Sequence, residues 1–188
     1  MDATPAGSEF KRPIIIESYR TFDPPPNFKQ CVETLLRYVP AKYLIGLKSV
    51  VLTNRAGLTG KKRKQKVWSR NRKVQLATAL GSYSRATRTT SAEVWLYVDN
   101  IVGAGFACWY WIPVLRYIVA SDVLYHEIGH HIHTAHLRVY EGRENIAEDW
   151  SRKLRRTFYR RHYWYLFPFL FVLAKVTSPI FRRLNQQE

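Results

Sequence analysis

Residues 121–136 read SDVLYHEIGHHIHTAH, with five histidines and one glutamate in the eleven positions from His126 onward. Within this stretch HEIGH (126–130) fits the pattern H-E-x-x-H. On a helix, positions four apart are rotated by about 400°, so His126 and His130 stand one above the other on a single face. Two imidazoles so placed reach one zinc ion at about 2.0–2.1 Å. Glu127 lies about 100° further round, close enough to lean toward a zinc-bound water as a general base. Ser121 reads as the helix cap, with Asp122 as the acidic residue of the first turn.

A third ligand is needed, and its spacing separates the alternatives. His136 falls where the longer pattern H-E-x-x-H-x-x-G-x-x-H of the metzincin peptidases has its third histidine, but His133 stands in place of the glycine. Without that glycine the helix need not turn back, and His136 points about 80° away from His126. The chain's one methionine is Met1, so the methionine turn of that group is missing as well. His133 shares the ligand face but lies about 10.5 Å along the axis from His126, too far for the same ion. His131 and His133 are therefore expected to be hydrogen-bonded or surface histidines. The remaining source is a carboxylate from the next helix, RENIAEDWSRKL (143–154), which offers Glu144 and Glu148. Glu144 sits about 60° from Ala147, at the edge of the apolar stripe, whereas Glu148 is about 100° away. A ligand must face inward while charged, which favours Glu144, because burial without a cation is costly. Glu148, on the same side, is placed to accept a hydrogen bond from the other nitrogen of a ligand histidine.

With HEIGH followed by Glu144-Asn-Ile-Ala147-Glu-Asp-Trp150, the chain resembles the gluzincins, zinc peptidases that combine H-E-x-x-H with a downstream helical glutamate. It resembles in particular the small cytoplasmic ImmA/IrrE-type, or minimal gluzincin, domains, which carry HExGH and then E-x-x-A-x-x-[FW]. The resemblance implies zinc on His126, His130 and Glu144, with Glu127 as general base in peptide-bond hydrolysis. It covers about residues 27–160, and only the two motifs are specific. The positive charge, the extra histidines and the aromatic end of the chain depart from that pattern. Peptide deformylases share H-E-x-x-H but take an upstream cysteine as third ligand, and Cys108 in FACWYW lacks the glycine-rich surroundings. Stabilising the oxyanion requires a further donor, for which Tyr140, Arg143 and His133 are candidates by proximity. An extended peptide or protein substrate would pair with an exposed edge strand, from either 78–85 or 92–99.

The rest of the chain predicts an α+β fold: a small mixed sheet packed on the histidine helix, followed by the glutamate-bearing helix. RPIII (12–16) reads as a short strand, and the TFDPPPN turn follows it. Apolar residues at Phe28, Val32, Leu35, Leu36 and Val39 predict a helix over 27–40, with Asn27 as its cap. YLIGLKSVVLTN (43–54) ends in a β-branched run and a turn, as a strand does, and KVQLATALGSYSR (73–85) and AEVWLYVDN (92–100) each contain strand-like alternation. From Glu144 a helical stripe carries Ala147, Trp150, Leu154 and Phe158. The organisation expected is a tail and turn (1–26), a zincin-like domain (27–160) and an aromatic, basic C-terminal segment (161–188) packed on the domain or on a membrane surface.

Thirty Lys and Arg against fourteen Asp and Glu leave a net charge of +16, which favours anionic partners. KKRKQKVWSRNRK (61–73) mixes basic residues with Trp68 and suits nucleic acid, although no nucleic-acid fold signature accompanies it. The apolar run Tyr163–Ala174 is too short for the roughly 20 residues that span a bilayer. Flanked by Arg155, Arg156, Arg160 and Arg161 and by Arg182 and Arg183, it fits either core packing or contact with an anionic membrane surface. In that alternative to a peptidase the metal site is structural or regulatory. Two cysteines build no disulfide framework, and the start lacks a signal-peptide pattern, so the expected location is cytoplasmic or peripheral to the membrane.

Overall fold

The segment Leu47–Thr53 is apolar or small at nearly every position, as a strand covered on both faces requires, and all of it except Lys48 is buried. In the computed structural model, which describes residues 12–58, 60, 66–69, 72–104, 112–137 and 143–166, this strand (β2) lies inside a four-stranded sheet. Its neighbours are β1 (Ile14–Ser18) and β6 (Ala92–Tyr97), both parallel to it. The fourth strand, β5 (Gly81–Ser84), pairs antiparallel with β6, giving the order β1-β2-β6-β5. Strands β3 (Lys66–Ser69) and β4 (Arg72–Gln75) form a separate antiparallel hairpin. The architecture is mixed α/β with a mixed sheet, compatible with the α+β expectation.

Helix α1 (Phe28–Arg37) buries Phe28, Cys31, Val32, Leu35 and Leu36, the stripe its spacing predicts. Asn27 does occupy the N-cap, but in the left-handed region (φ 66°) and with no hydrogen bond from its side chain. Its backbone carbonyl instead accepts from the Cys31 N–H at 3.0 Å. Strand β6 alternates, with Val94 and Leu96 fully buried on one face and Trp95 packed on the other. On Trp95's side it meets a small second core of Leu58, Leu76, Ala79 and Tyr97.

That second core explains how the strand-like alternation read in 73–85 is divided. The segment breaks into β4, a 3-10 turn at Leu76–Thr78, and β5. Leu76 and Ala79 turn inward to the core, while Asn100 Nδ2 donates to the carbonyls of Ala77 and Ala79 at 2.9 and 2.7 Å and holds the turn. Likewise 92–100 is strand only to Tyr97, and the short helix α2 (Val98–Gly103) follows at once.

Helix α3 spans Pro113–Ile132, with the proline at its first turn, where no backbone N–H is required. Ser121 is thus not its cap. It lies fully buried in mid-helix, and its hydroxyl donates to the Ile118 carbonyl at 3.0 Å. Nothing between Pro113 and Ser121 breaks a helix, so the turn pattern continues upstream of the serine. A π turn over His133–Leu137 ends this segment, and helix α4 runs from Arg143 to His162.

The chain divides into two compact units, 1–155 and 156–188. In the second, the described residues 156–166 close α4 and continue into a 3-10 turn at Trp164–Leu166. Here Phe158 stacks on His162 with ring centroids 4.9 Å apart, and Tyr163 meets His162 edge-on at 4.8 Å. No helix among the described residues is long and apolar enough to cross a membrane. Residues 167–188, which include most of the predicted apolar run and Arg182 and Arg183, lie outside the described residues.

Candidate metal centre

The lower half of α3 is held from three sides. Leu124, Tyr125, Ile128 and Ile132 are buried to within 1% of full coverage, each contributing about 1.5–3 kcal/mol where an aliphatic chain leaves water. The Tyr125 hydroxyl donates to the Leu35 carbonyl at 3.0 Å and ties α3 to the end of α1. His131 Nε2 lies 3.1 Å from the carbonyl oxygen of Ile45, and its Nδ1 lies 3.2 Å from the Tyr83 hydroxyl. A carbonyl can only accept, so Nε2 carries a proton and donates to Ile45, while Nδ1 shares a hydrogen bond with the Tyr83 hydroxyl. Burial raises the pKa of Tyr83 against the opposing influences of Arg85 and a hydrogen bond with Thr134, which keeps the hydroxyl protonated as a donor. This histidine, 1% exposed, links α3 to strand β5 and to the loop before β2. The sequence expectation that His131 is a hydrogen-bonded residue matches this geometry.

Helix α4 runs antiparallel along α3, because Glu144 faces His126 and His130 while Arg155 reaches Asp122. The two backbones come close together at Gly129. A Cβ there would lie 2.5 Å from the Ala147 carbonyl oxygen and 2.8 Å from its Cα. Only a glycine against a small residue lets the two backbones meet this closely. One turn before Ala147, Glu144 thereby arrives over the histidine face. Its Oε2 is 3.4 Å from His126 Nε2 and its Oε1 is 3.6 Å from His130 Nε2. The two imidazoles meet edge-on with centroids 4.8 Å apart. His126, His130 and Glu144 form a group that can hold a metal ion, with one ligand atom from each, all within 4.8 Å of one another. His126 is 5% exposed, and both of its ring nitrogens are buried with no hydrogen-bond partner. A bound ion is one way in which buried polar atoms of this kind are satisfied.

Around this group lies a chain of charges. Glu148 Oε2 is 3.5 Å from His126 Nδ1, in ion-pair contact, and Glu148 Oε1 is 3.4 Å from Arg155 Nη2. Arg155 in turn donates to Asp122 Oδ1 at 2.6 Å. Arg155, read from the sequence as a flank of the apolar run, instead faces across to α3. On the other side of the histidine face, Glu127 is buried at 7% exposure against β5. A Cβ on Gly81 would lie 2.8 Å from Val123 Cγ1, 2.9 Å from Glu127 Cγ and 3.0 Å from Glu127 Oε1. The absence of a side chain at position 81 thus makes room for the carboxylate.

Of the residues singled out from the sequence, the structure brings together His126, His130, Glu144 and Glu148, with Glu127 on the next face of α3. His133 is buried at 2% exposure in the π turn. Tyr140 and the Arg143 side chain lie outside the described residues, as do the side chains of the basic stretch 61–73. Of the two candidate edges, β6 is interior, and β5 is the strand at the end of the sheet. Sequence reading missed Gly81, Ala147's partner role for Gly129, and the Asp122–Arg155 pair. The glycine of HEIGH is the one signal that pointed toward a close helix crossing. Comparison with family models, curated proteins and solved structures finds no match to this chain.

Proposed function

We propose that this protein is a zinc metallopeptidase of the gluzincin kind with a zincin-like fold. The observation that carries the reading is the convergence of His126, His130 and Glu144, with the buried Glu127 one residue from the first ligand. The donor set fits the ion. Two imidazole nitrogens and one carboxylate are the ligands of several catalytic zinc sites. Tetrahedral bonds of about 2.0–2.1 Å separate their donors by roughly 3.4 Å; Glu144 Oε2 is 3.4 Å from His126 Nε2, its other oxygen, Oε1, is 3.6 Å from His130 Nε2, and one donor atom from each of the three residues lies within 4.8 Å of the other two. The buried Nε2 of His126, which faces Glu144 and has no hydrogen-bond partner, agrees with such an occupant.

Zinc held there supplies Lewis acidity, polarising a water molecule and the scissile carbonyl. The protein's own groups supply the rest. Glu127 takes the proton of the attacking water and delivers it to the leaving amine nitrogen. Glu148, held by Arg155, orients the His126 ring through Nδ1. Strand β5, at the sheet's edge beside Glu127, offers main-chain hydrogen bonds to an extended peptide.

Glu127→Gln separates binding from chemistry. Cleavage of a quenched fluorescent peptide library should disappear while zinc content by elemental analysis stays at the wild-type level. Residual cleavage at the wild-type rate rejects Glu127 as the base. Glu144→Ala should lower zinc content, and an unchanged value removes it from the ligand set.

A further inference from the structure

The closing segment of α4 carries a second surface, distinct in chemistry from the metal group. Arg156, Arg160 and Arg161 are all exposed. In the turn that follows, Trp164 and Tyr165 are 69% and 56% exposed, and Trp164 is the most exposed large hydrophobic side chain among the described residues. Behind them the aromatic rings are braced: Tyr163, 8% exposed, contacts Phe158 at 6.0 Å, Tyr159 at 6.1 Å and Tyr165 at 6.2 Å between centroids. Two exposed aromatic side chains, preceded within the same segment by three exposed arginines, cost free energy in water unless something covers them.

The chemistry selects the cover. Tyr and Trp favour the bilayer interface, where the ring is shielded and the polar edge stays wet. Arginines beside them match anionic headgroups, with guanidinium forks suited to phosphate. The sequence after Trp164 and Tyr165 continues LFPFLFVLA (166–174), apolar, yet with Tyr163–Trp164–Tyr165 only twelve residues. That length lies in an interface rather than spanning one, for which about 20 are needed. Nucleic acid would also attract the arginines, but it offers no reason for nine further consecutive residues without a charge or a hydrogen-bonding side chain.

We infer that residues 156–166 are a docking surface for an anionic lipid bilayer, which the exposed aromatics enter while the arginines contact phosphate headgroups. The surface acts independently of the metal centre and holds whether or not the protein is a peptidase. Each arginine near such a surface is worth about a fivefold change in partitioning.

The test is co-flotation of the full-length protein with vesicles of phosphatidylserine and phosphatidylcholine, compared with pure phosphatidylcholine. Wild type should float with the anionic vesicles and much less with the neutral ones. Arg156→Ala/Arg160→Ala/Arg161→Ala should lower anionic-vesicle partitioning on the order of a hundredfold. Trp164→Ser/Tyr165→Ser should lower it by at least about tenfold, and also reduce quenching of tryptophan emission by brominated lipid. Thermal midpoint and zinc content, measured alongside, should match wild type, because the substituted side chains are exposed. Equal flotation of wild type and both variants overturns the inference. So does failure to float when the arginines instead govern salt-sensitive binding to random duplex DNA.

Discussion

Gly129→Ala tests the step on which the metal centre depends. The new Cβ would stand 2.5 Å from the Ala147 carbonyl oxygen, 2.8 Å from its Cα and 3.0 Å from its carbonyl carbon. All three are backbone atoms, so no side chain can swing aside. Ordinary contact begins near 3.4 Å, so α4 must retreat locally by about 0.9 Å. Overpacking of this kind costs about 1–3 kcal/mol, while replacing glycine by alanine inside a helix returns about 1 kcal/mol. Net stability should fall by no more than about 2 kcal/mol. That lowers the thermal midpoint by a few degrees in a chain of this size. Metal binding is the more sensitive readout. Glu144 lies one turn from Ala147 on the moving helix, and ligand distances tolerate only about 0.2 Å. Zinc affinity, measured by competition with a chromophoric chelator, should therefore drop at least ten- to a hundredfold. Gly103→Ala, where a Cβ meets nothing within 4 Å, serves as the control and should leave affinity unchanged. A Gly129→Ala protein that binds zinc as tightly as wild type would show that the helix crossing does not position Glu144.

Gly81→Ala presses on Val123 and Glu127 rather than on backbone, so zinc content should persist while kcat on a peptide substrate falls about tenfold or more; unaltered kcat would refute a positioning role. Arg155→Ala leaves Glu148 and Asp122 without their shared cation, and zinc affinity should fall about tenfold, with Arg155→Lys recovering part of it. Cys31 is 2% exposed and burial pushes its thiol pKa up to about 12. In a Cys108→Ser background, a thiol reagent at pH 8 should label it only after unfolding. Burial holds the His162 pKa below its usual 6.5, so the unfolded chain takes up protons first as pH falls. Stability is then full above about 6.5 and declines below it. His162→Phe should flatten that acid-side decline in thermal midpoint, and an unchanged slope would exclude His162 as its source.

Short-range pattern carried much of this protein. The helical spacing of Phe28, Val32, Leu35 and Leu36, the alternation of Val94 and Leu96, and the stripe of Ala147 and Leu154 all bury as their periodicity requires. Strand limits were less legible where a distant residue intervenes. Asn100 clamps the carbonyls of Ala77 and Ala79 from over twenty residues away, and nothing within 73–85 announces the break. The start of α3 was misplaced because Ser121 has a cap's chemistry, yet its hydroxyl turns back on the helix.

Within the candidate centre, the sequence alone determined that His126 and His130 share a face, since four residues make little more than one helical turn. It also narrowed the candidates for a third ligand to two glutamates. What the tertiary structure decided is which glutamate arrives and how it is held. Gly129 and Ala147 are small enough for two helices to touch, and this contact carries Glu144 to both histidines. The same approach leaves Glu148 to the Asp122–Arg155 pair, and Gly81 clears the space that Glu127 occupies. Those outcomes depend on distances of a few tenths of an ångström between segments remote in the chain. Local periodicity carries no information on that scale, because it is set by how closely two backbones can pack.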